Sequence, residues 1–104
     1  MSKIHQTAHI DPRARIGSDI EVGAFTVIHE NVVIGDGVEI GSHCELGIKT
    51  SLGDGSPLNI SNDSLIRSHS VFYESSSFGV GLVTGHHVIV RENTTAGKCF
   101  QIGT

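Results

Sequence analysis

Tryptophan is absent, tyrosine occurs once, and only two prolines and two cysteines appear among 104 residues. A chain so poor in bulky rings has little core of the ordinary kind, and its thirteen glycines point to many turns. There is no basic run either, and the net charge is −4. That excludes the electrostatic grip a protein needs on a nucleic acid backbone or an anionic membrane. No CxxC, secretory leader or spanning apolar stretch is present, so a reduced, cytoplasmic setting is expected. Cys44 and Cys99 are expected to serve as small apolar fillers. The length allows one domain, residues 1–104, with barely enough interior to fold alone, so further burial against partners is expected.

What the sequence does have is a period of six. Ile4, Ile10, Ile16, Val22, Ile28, Ile34, Ile40 and Leu46 are aliphatics at an unbroken spacing. With roughly a quarter of residues aliphatic, chance yields such a string about once in 10⁴ to 10⁵ starts. After an interruption the spacing resumes with Ile60, Ile66, Phe72, Phe78, Thr84, Val90, Ala96 and Ile102, Thr84 and Ala96 being the weak members. A glycine commonly follows the aliphatic, as at Gly17, Gly23, Gly35 and Gly41, where the chain turns a corner. Four places after it the residue is mostly slender, as at Thr26, Val32, Val38, Ser64, Ser70 and Ser76.

Six residues fit neither the 3.6 period of an α-helix nor a hairpin meander, whereas positions i and i+4 share a strand face. Short strands joined by regular corners satisfy both facts. Three strands per turn make an all-β triangular prism with coils of 18 residues, each coil adding one strand spacing of about 4.7 to 4.9 Å. About five to six coils fit the chain, beginning near Ile4, Val22, Ile40, Ile60, Phe78 and Ala96. A short loop around residues 47–59 would absorb two extra residues between Leu46 and Ile60. Gly53, Gly55 and Pro57 suit it.

The stretches "IGSDIEVGAFTVIHENVVIGDGVEIGSHCELG" and "FGVGLVTGHHVIVRENTTAGKCFQIG" resemble the hexapeptide-repeat proteins, whose fold is a left-handed parallel β-helix and most of whose members are acyltransferases. The resemblance covers about nine tenths of the chain. It implies a homotrimer, and the outward residues agree. Val27, Leu65 and Val83 are placed on one face and Val33, Val71 and Ile89 on a second, leaving an apolar ridge that a threefold axis would bury.

"TGHHVIVREN", residues 84–93, draws attention to the histidines. Acyl transfer from a thioester needs a group that titrates near neutrality to take the acceptor's proton, and a donor for the developing oxyanion. His86 is the third residue of its repeat, the position the resemblance assigns to the general base, and its neighbour His87 is the second catalytic candidate. His69, eighteen residues before His87, should lie directly beneath it. Glu74 or Glu92 is available to orient an imidazole. Asn31, Asp36 and Asn93 read as corner residues that cap turns, and His5, His9, His29 and His43 as surface or corner residues.

The resemblance further implies acetyl-CoA or another acyl-CoA as co-substrate, with a small-molecule acceptor carrying an amino or hydroxyl group, such as a nucleotide-linked sugar. Arg67, Arg91 and Lys98 are the cations available for its pyrophosphate, though they form no recognisable phosphate motif. The last repeat opens at Ile102 and the chain stops two residues later, which suggests a truncated sugar N-acetyltransferase relative whose end frays, is covered or pairs end to end. Two alternatives stand beside the enzyme: a noncatalytic trimeric scaffold or small-ligand binder, and a metal-dependent protein similar to carbonic anhydrases of this fold. For the metal, His69 and His87 supply two ligands where three are needed, so no metal site is assigned.

Overall fold

The computed structural model describes residues 1–103. Strands follow one another at the six-residue interval. They are β1 (Lys3–Ile4), β2 (His9–Ile10), β3 (Arg15–Ile16), β4 (Glu21–Val22), β5 (Val27–Ile28), β6 (Val32–Ile34), β7 (Glu39–Ile40) and β8 (Glu45–Ile48). Then come β9 (Leu58–Ile60), β10 (Leu65–Ile66), β11 (Val71–Tyr73), β12 (Ser77–Phe78), β13 (Val83–Thr84), β14 (Ile89–Val90), β15 (Thr95–Ala96) and β16 (Gln101–Ile102). Every third strand pairs in parallel, giving three walls. The first is β1-β4-β7-β10-β13-β16, the second β2-β5-β8-β11-β14 and the third β3-β6-β9-β12-β15. This is a parallel β-solenoid of about six turns, consistent with the left-handed β-helix that the repeats imply. Among the described residues no helix is long and apolar enough to cross a membrane.

The prism holds together because two positions of each repeat point inward. Val22, Ile28, Ile34, Ile40, Leu46, Ile60, Ile66, Phe72 and Phe78 fill the axis, with Phe72 and Phe78 edge to face at 5.7 Å. The slender fourth-after positions do a second job. Thr26 Oγ1 donates to Gly41 O at 2.6 Å and accepts from Cys44 N at 3.2 Å, and Ser76 Oγ donates to Arg91 O at 2.8 Å and accepts from Thr94 N at 3.0 Å. Buried hydroxyls thus stitch successive coils where an aliphatic would leave amides unpaired.

The glycines after the aliphatic are required by the coil above rather than by their own torsions. A Cβ on Gly41 would stand 2.7 Å from Ser68 N, and one on Gly23 2.7 Å from Gly41 C. Left-handed backbone falls instead two residues later in the repeat, at Asp19, Phe25, His43, Asp63, His69, His87, Asn93 and Cys99. Its recurrence at most corners marks it as part of the repeat.

The second half of the stack is out of phase with the expected coils. Ile34 pairs with Ile60 and Ile40 with Ile66, and the rung from Asp36 to Asn62 spans 26 residues where other rungs span 18. Eight residues therefore leave the coil, not two, as a loop between Ile48 and Leu58, and the later coils begin at Ile66, Thr84 and Ile102. The loop is tied to the prism by Asn31 Nδ2, which donates to Gly55 O and Ser56 O, and by Asn93 Nδ2, which donates to Leu52 O at 3.1 Å. The outer faces shift accordingly. Leu65 and Val83 face outward on the first wall, while Val27, Val71 and Ile89 share the second, Ile89 being 68% exposed. The third wall carries only Val33 among its outward aliphatics, beside Arg15, Asn59, Ser77 and Thr95. The cysteines also part company. Cys44 is buried in the core, and that burial pushes its thiol up, whereas Cys99 is exposed.

Candidate functional site

The corner between the first and second walls carries a column of rings. Phe25, His43, His69 and His87 lie one above another, with centroid separations of 5.2, 4.9 and 4.9 Å; the His43 and His69 planes are 2° apart and those of His69 and His87 19°. The expected pairing of His69 with His87 is present. His43, read from the sequence as a surface or corner residue, joins them because the loop brings it directly beneath His69. The rings meet face to face, so their nitrogens do not converge on a point. Among the described residues no group of three His, Cys, Asp or Glu side chains is arranged to hold a metal ion.

His86 belongs to a different column, one position earlier in the repeat. At this third position three side chains close the corner below. Asp36 Oδ1 accepts from Ser18 N at 2.8 Å, Asn62 Oδ1 from Asp36 N at 2.8 Å, and Ser68 Oγ from Ser42 N at 3.2 Å. His86 stands above Ser68 in the same series, yet its exposed ring makes no hydrogen bond and joins no stack among the described residues. Of the four histidines at this corner above His5, which are His43, His69, His86 and His87, it alone stays out of the ring column.

Two shallow grooves of about 400 and 240 Å³ meet at His86, and Arg67 borders both. Val83, Thr84 and Gln101 line the larger one, and Glu39, Leu65 and Ser68 the smaller. The inward Thr84, weak as an aliphatic, accepts from Arg67 N at 3.1 Å and so fixes the backbone beside the groove. Gly85 N is not free to act as an oxyanion donor, because it is bonded to Ile102 O at 2.8 Å.

The three candidate phosphate cations do not gather. Arg67 lies at the corner of the first and second walls with His86. Arg91 lies at the corner of the second and third walls, its guanidinium 4.3 Å from the Tyr73 ring centroid and 3.1 Å from Glu92. Lys98 is exposed at the corner of the third and first walls. Glu74 and Glu92 are likewise remote from His86. Glu74 accepts from Asn31 Nδ2 at 3.1 Å and Thr50 N at 3.3 Å, and Glu92 accepts from Thr50 Oγ1 at 3.0 Å, so both hold the loop and neither orients an imidazole. His29 meets Glu45 at 2.8 Å on the second wall.

Residues 14–47 match the bacterial transferase hexapeptide family, described as six repeats. The match covers about a third of the chain, the coils of its first half. A stretch of 28 residues is 64% identical to the acyl-[acyl-carrier-protein]–UDP-N-acetylglucosamine O-acyltransferase of Ralstonia nicotianae, covering 27% of this chain and 10% of that protein. Among solved structures the chain is similar to the serine acetyltransferase of Neisseria gonorrhoeae, with a TM-score of 0.74 and 19% identity over 91% of this chain and 36% of that one. It is also similar to serine acetyltransferase 1 of Entamoeba histolytica, with a TM-score of 0.54 and 18% identity over 90% of this chain and 38% of that one. At these identities the structural likeness is one of fold. The chain spans about a tenth of the curated relative's length and little more than a third of either serine acetyltransferase.

Proposed function

We propose that this protein is an acyl-CoA-dependent acyltransferase in which His86 is the general base. The observation that carries the reading is the release of His86 from the capping role played by Asp36, Asn62 and Ser68. A histidine with no hydrogen bond of its own that stands exposed at the meeting of two grooves is placed to meet a ligand. The family match and the O-acyltransferase segment supply the reaction class. In the step itself an imidazole nitrogen of His86 takes the proton of an acceptor amine or hydroxyl as it attacks the thioester carbonyl. The new C–N or C–O bond forms, the C–S bond breaks, and the thiolate leaves with the proton from the imidazolium. Arg67 is the cation best placed to meet an anionic part of donor or acceptor. The acceptor class is a small molecule such as a nucleotide-linked sugar, in line with the UDP-N-acetylglucosamine in the relative's name.

At the His86 corner a single prism offers only shallow grooves, so the reading includes a homotrimer. Leu65, Val83, Val71 and Ile89 flank the His86 corner on both sides, and packing two such faces together would bury them and deepen the groove. A reducing, cytoplasmic compartment belongs to the same reading. The dispersal of Arg67, Arg91 and Lys98 over three corners favours the second reading, a noncatalytic trimeric scaffold. Isothermal titration with acetyl-CoA, together with assay of thiol release, separates the two. Binding and turnover in the wild type, with turnover lost in His86→Ala, support the enzyme, and silence in both proteins supports the scaffold.

A further inference from the structure

The eight-residue insertion does more than bulge. Between the loop and the corner of the second and third walls lies an open cleft of about 720 Å³, separated from the His86 corner by the second wall. Arg13, Glu30, Asn31, Lys49, Thr50 and Glu74 line it. Its cations are already matched. Arg13 is held by both oxygens of Asp11 at 3.1 Å and reaches Glu30 at 3.2 Å, while Lys49 lies 3.6 Å from the other Glu30 oxygen. The three carboxylates Asp11, Glu30 and Glu74 therefore face two cations, and the unmatched charge is that of Glu74.

Glu74 is only 5% exposed, and its two partners, the Asn31 amide and Thr50 N, are both neutral. A loop anchor needs no charge there; a neutral acceptor would hold the same donors without the cost of withdrawing a carboxylate from water. Two of a carboxylate's roughly four acceptor positions remain unused, and Asn31 Oδ1 accepts no bond among the described residues. Acceptors, an uncompensated negative charge and a cleft thus coincide.

We propose that this cleft is a binding site for a small organic primary ammonium compound, whose –NH₃⁺ group sits between Glu74 and Asn31 Oδ1. Three N–H donors on one charged nitrogen match the acceptors, and a charge-assisted bond in a partly desolvated cleft is the strong kind. The neighbouring hydroxyls of Thr50 and Ser51 suit a compound with a polar tail. The site is independent of the acyl-transfer reading, since it occupies another corner and uses none of its residues.

The test is a titration of the ¹⁵N-labelled full chain with ethanolamine, using ethylene glycol as a neutral control and tetramethylammonium as a charged control without donors. Saturable shifts of the Asn31 side-chain amide and of the Thr50 and Ser51 amides are expected with ethanolamine alone. Glu74→Gln should weaken binding at least fivefold. Because that change also touches the loop anchor, Ser51→Lys is the second variant: it supplies a competing ammonium from the exposed cleft wall and should weaken binding at least fivefold with an unchanged melting temperature. If Glu74→Gln does not fold, Ser51→Lys decides. Absence of shifts, equal shifts with either control, or less than fivefold weakening in the deciding variant overturns the proposal.

Discussion

Ser68 Oγ accepts the Ser42 N–H at 3.2 Å, a corner-closing bond that Asp36 and Asn62 also make from the third position of their repeats. One coil further on the same position belongs to His86, whose ring closes no corner. The contrast separates two adjacent histidines that look equivalent in the sequence: His87 is committed to a ring stack and His86 is not.

Coil packing is limited by backbone contact at the corners. Gly41→Ala should destabilise the protein by about 1–3 kcal/mol, because its Cβ would press on backbone 2.7 Å away that has no room to yield. Gly97→Ala, which meets nothing within 4 Å, should stay within about 0.5 kcal/mol of wild type. Urea midpoints of the two variants check the pair; equal midpoints would contradict the packing.

The phase of the stack is tested at the loop. Leu58 is fully buried and Leu52 is 68% exposed. Leu58→Ala should cost about 2–5 kcal/mol, as expected for a core leucine, whereas Leu52→Ser should change stability by less than about 0.5 kcal/mol. Were Leu52 a wall residue, as an uninterrupted six-residue count would make it, the two costs would be alike.

That pair also shows where the sequence ceased to be legible. The period, the three walls and the parallel stacking followed from the spacing of the aliphatics, because an inward position can be filled by little else. The phase did not follow. Leu52 falls six residues after Leu46, so the count runs on through residues that have left the coil. Two repeats plus two residues and one repeat plus eight span the same distance from Leu46 to Ile60. That ambiguity separated His43 from His69 and put Val71 and Ile89 on the wrong face. The difference between His86 and His87 was also hidden, since it depends on bonds between coils that no local pattern records.

The ring column predicts a pH dependence. Desolvation at the corner, followed by the imidazoles of His87, His43 and His86, holds His69 below its ordinary value of 6.5. The folded state therefore favours neutral His69. Its contribution to stability is full above about pH 6.5 and is lost as pH falls from there through the lowered folded value. Urea midpoints from pH 7.5 to 5.0 should fall more steeply for the wild type than for His69→Asn, a replacement that tolerates the left-handed backbone at this position. Parallel curves would contradict the coupling.

The most direct measurement is the rate of thiol release from acetyl-CoA with hydroxylamine as a generic acceptor, compared among wild type, His86→Ala and His87→Ala at pH 7.5. Loss of a general base should lower the His86→Ala rate by about 10²- to 10⁴-fold, while His87→Ala keeps its rate to within about tenfold. No turnover above the uncatalysed rate in the wild type, or an undiminished rate in His86→Ala, would contradict the account.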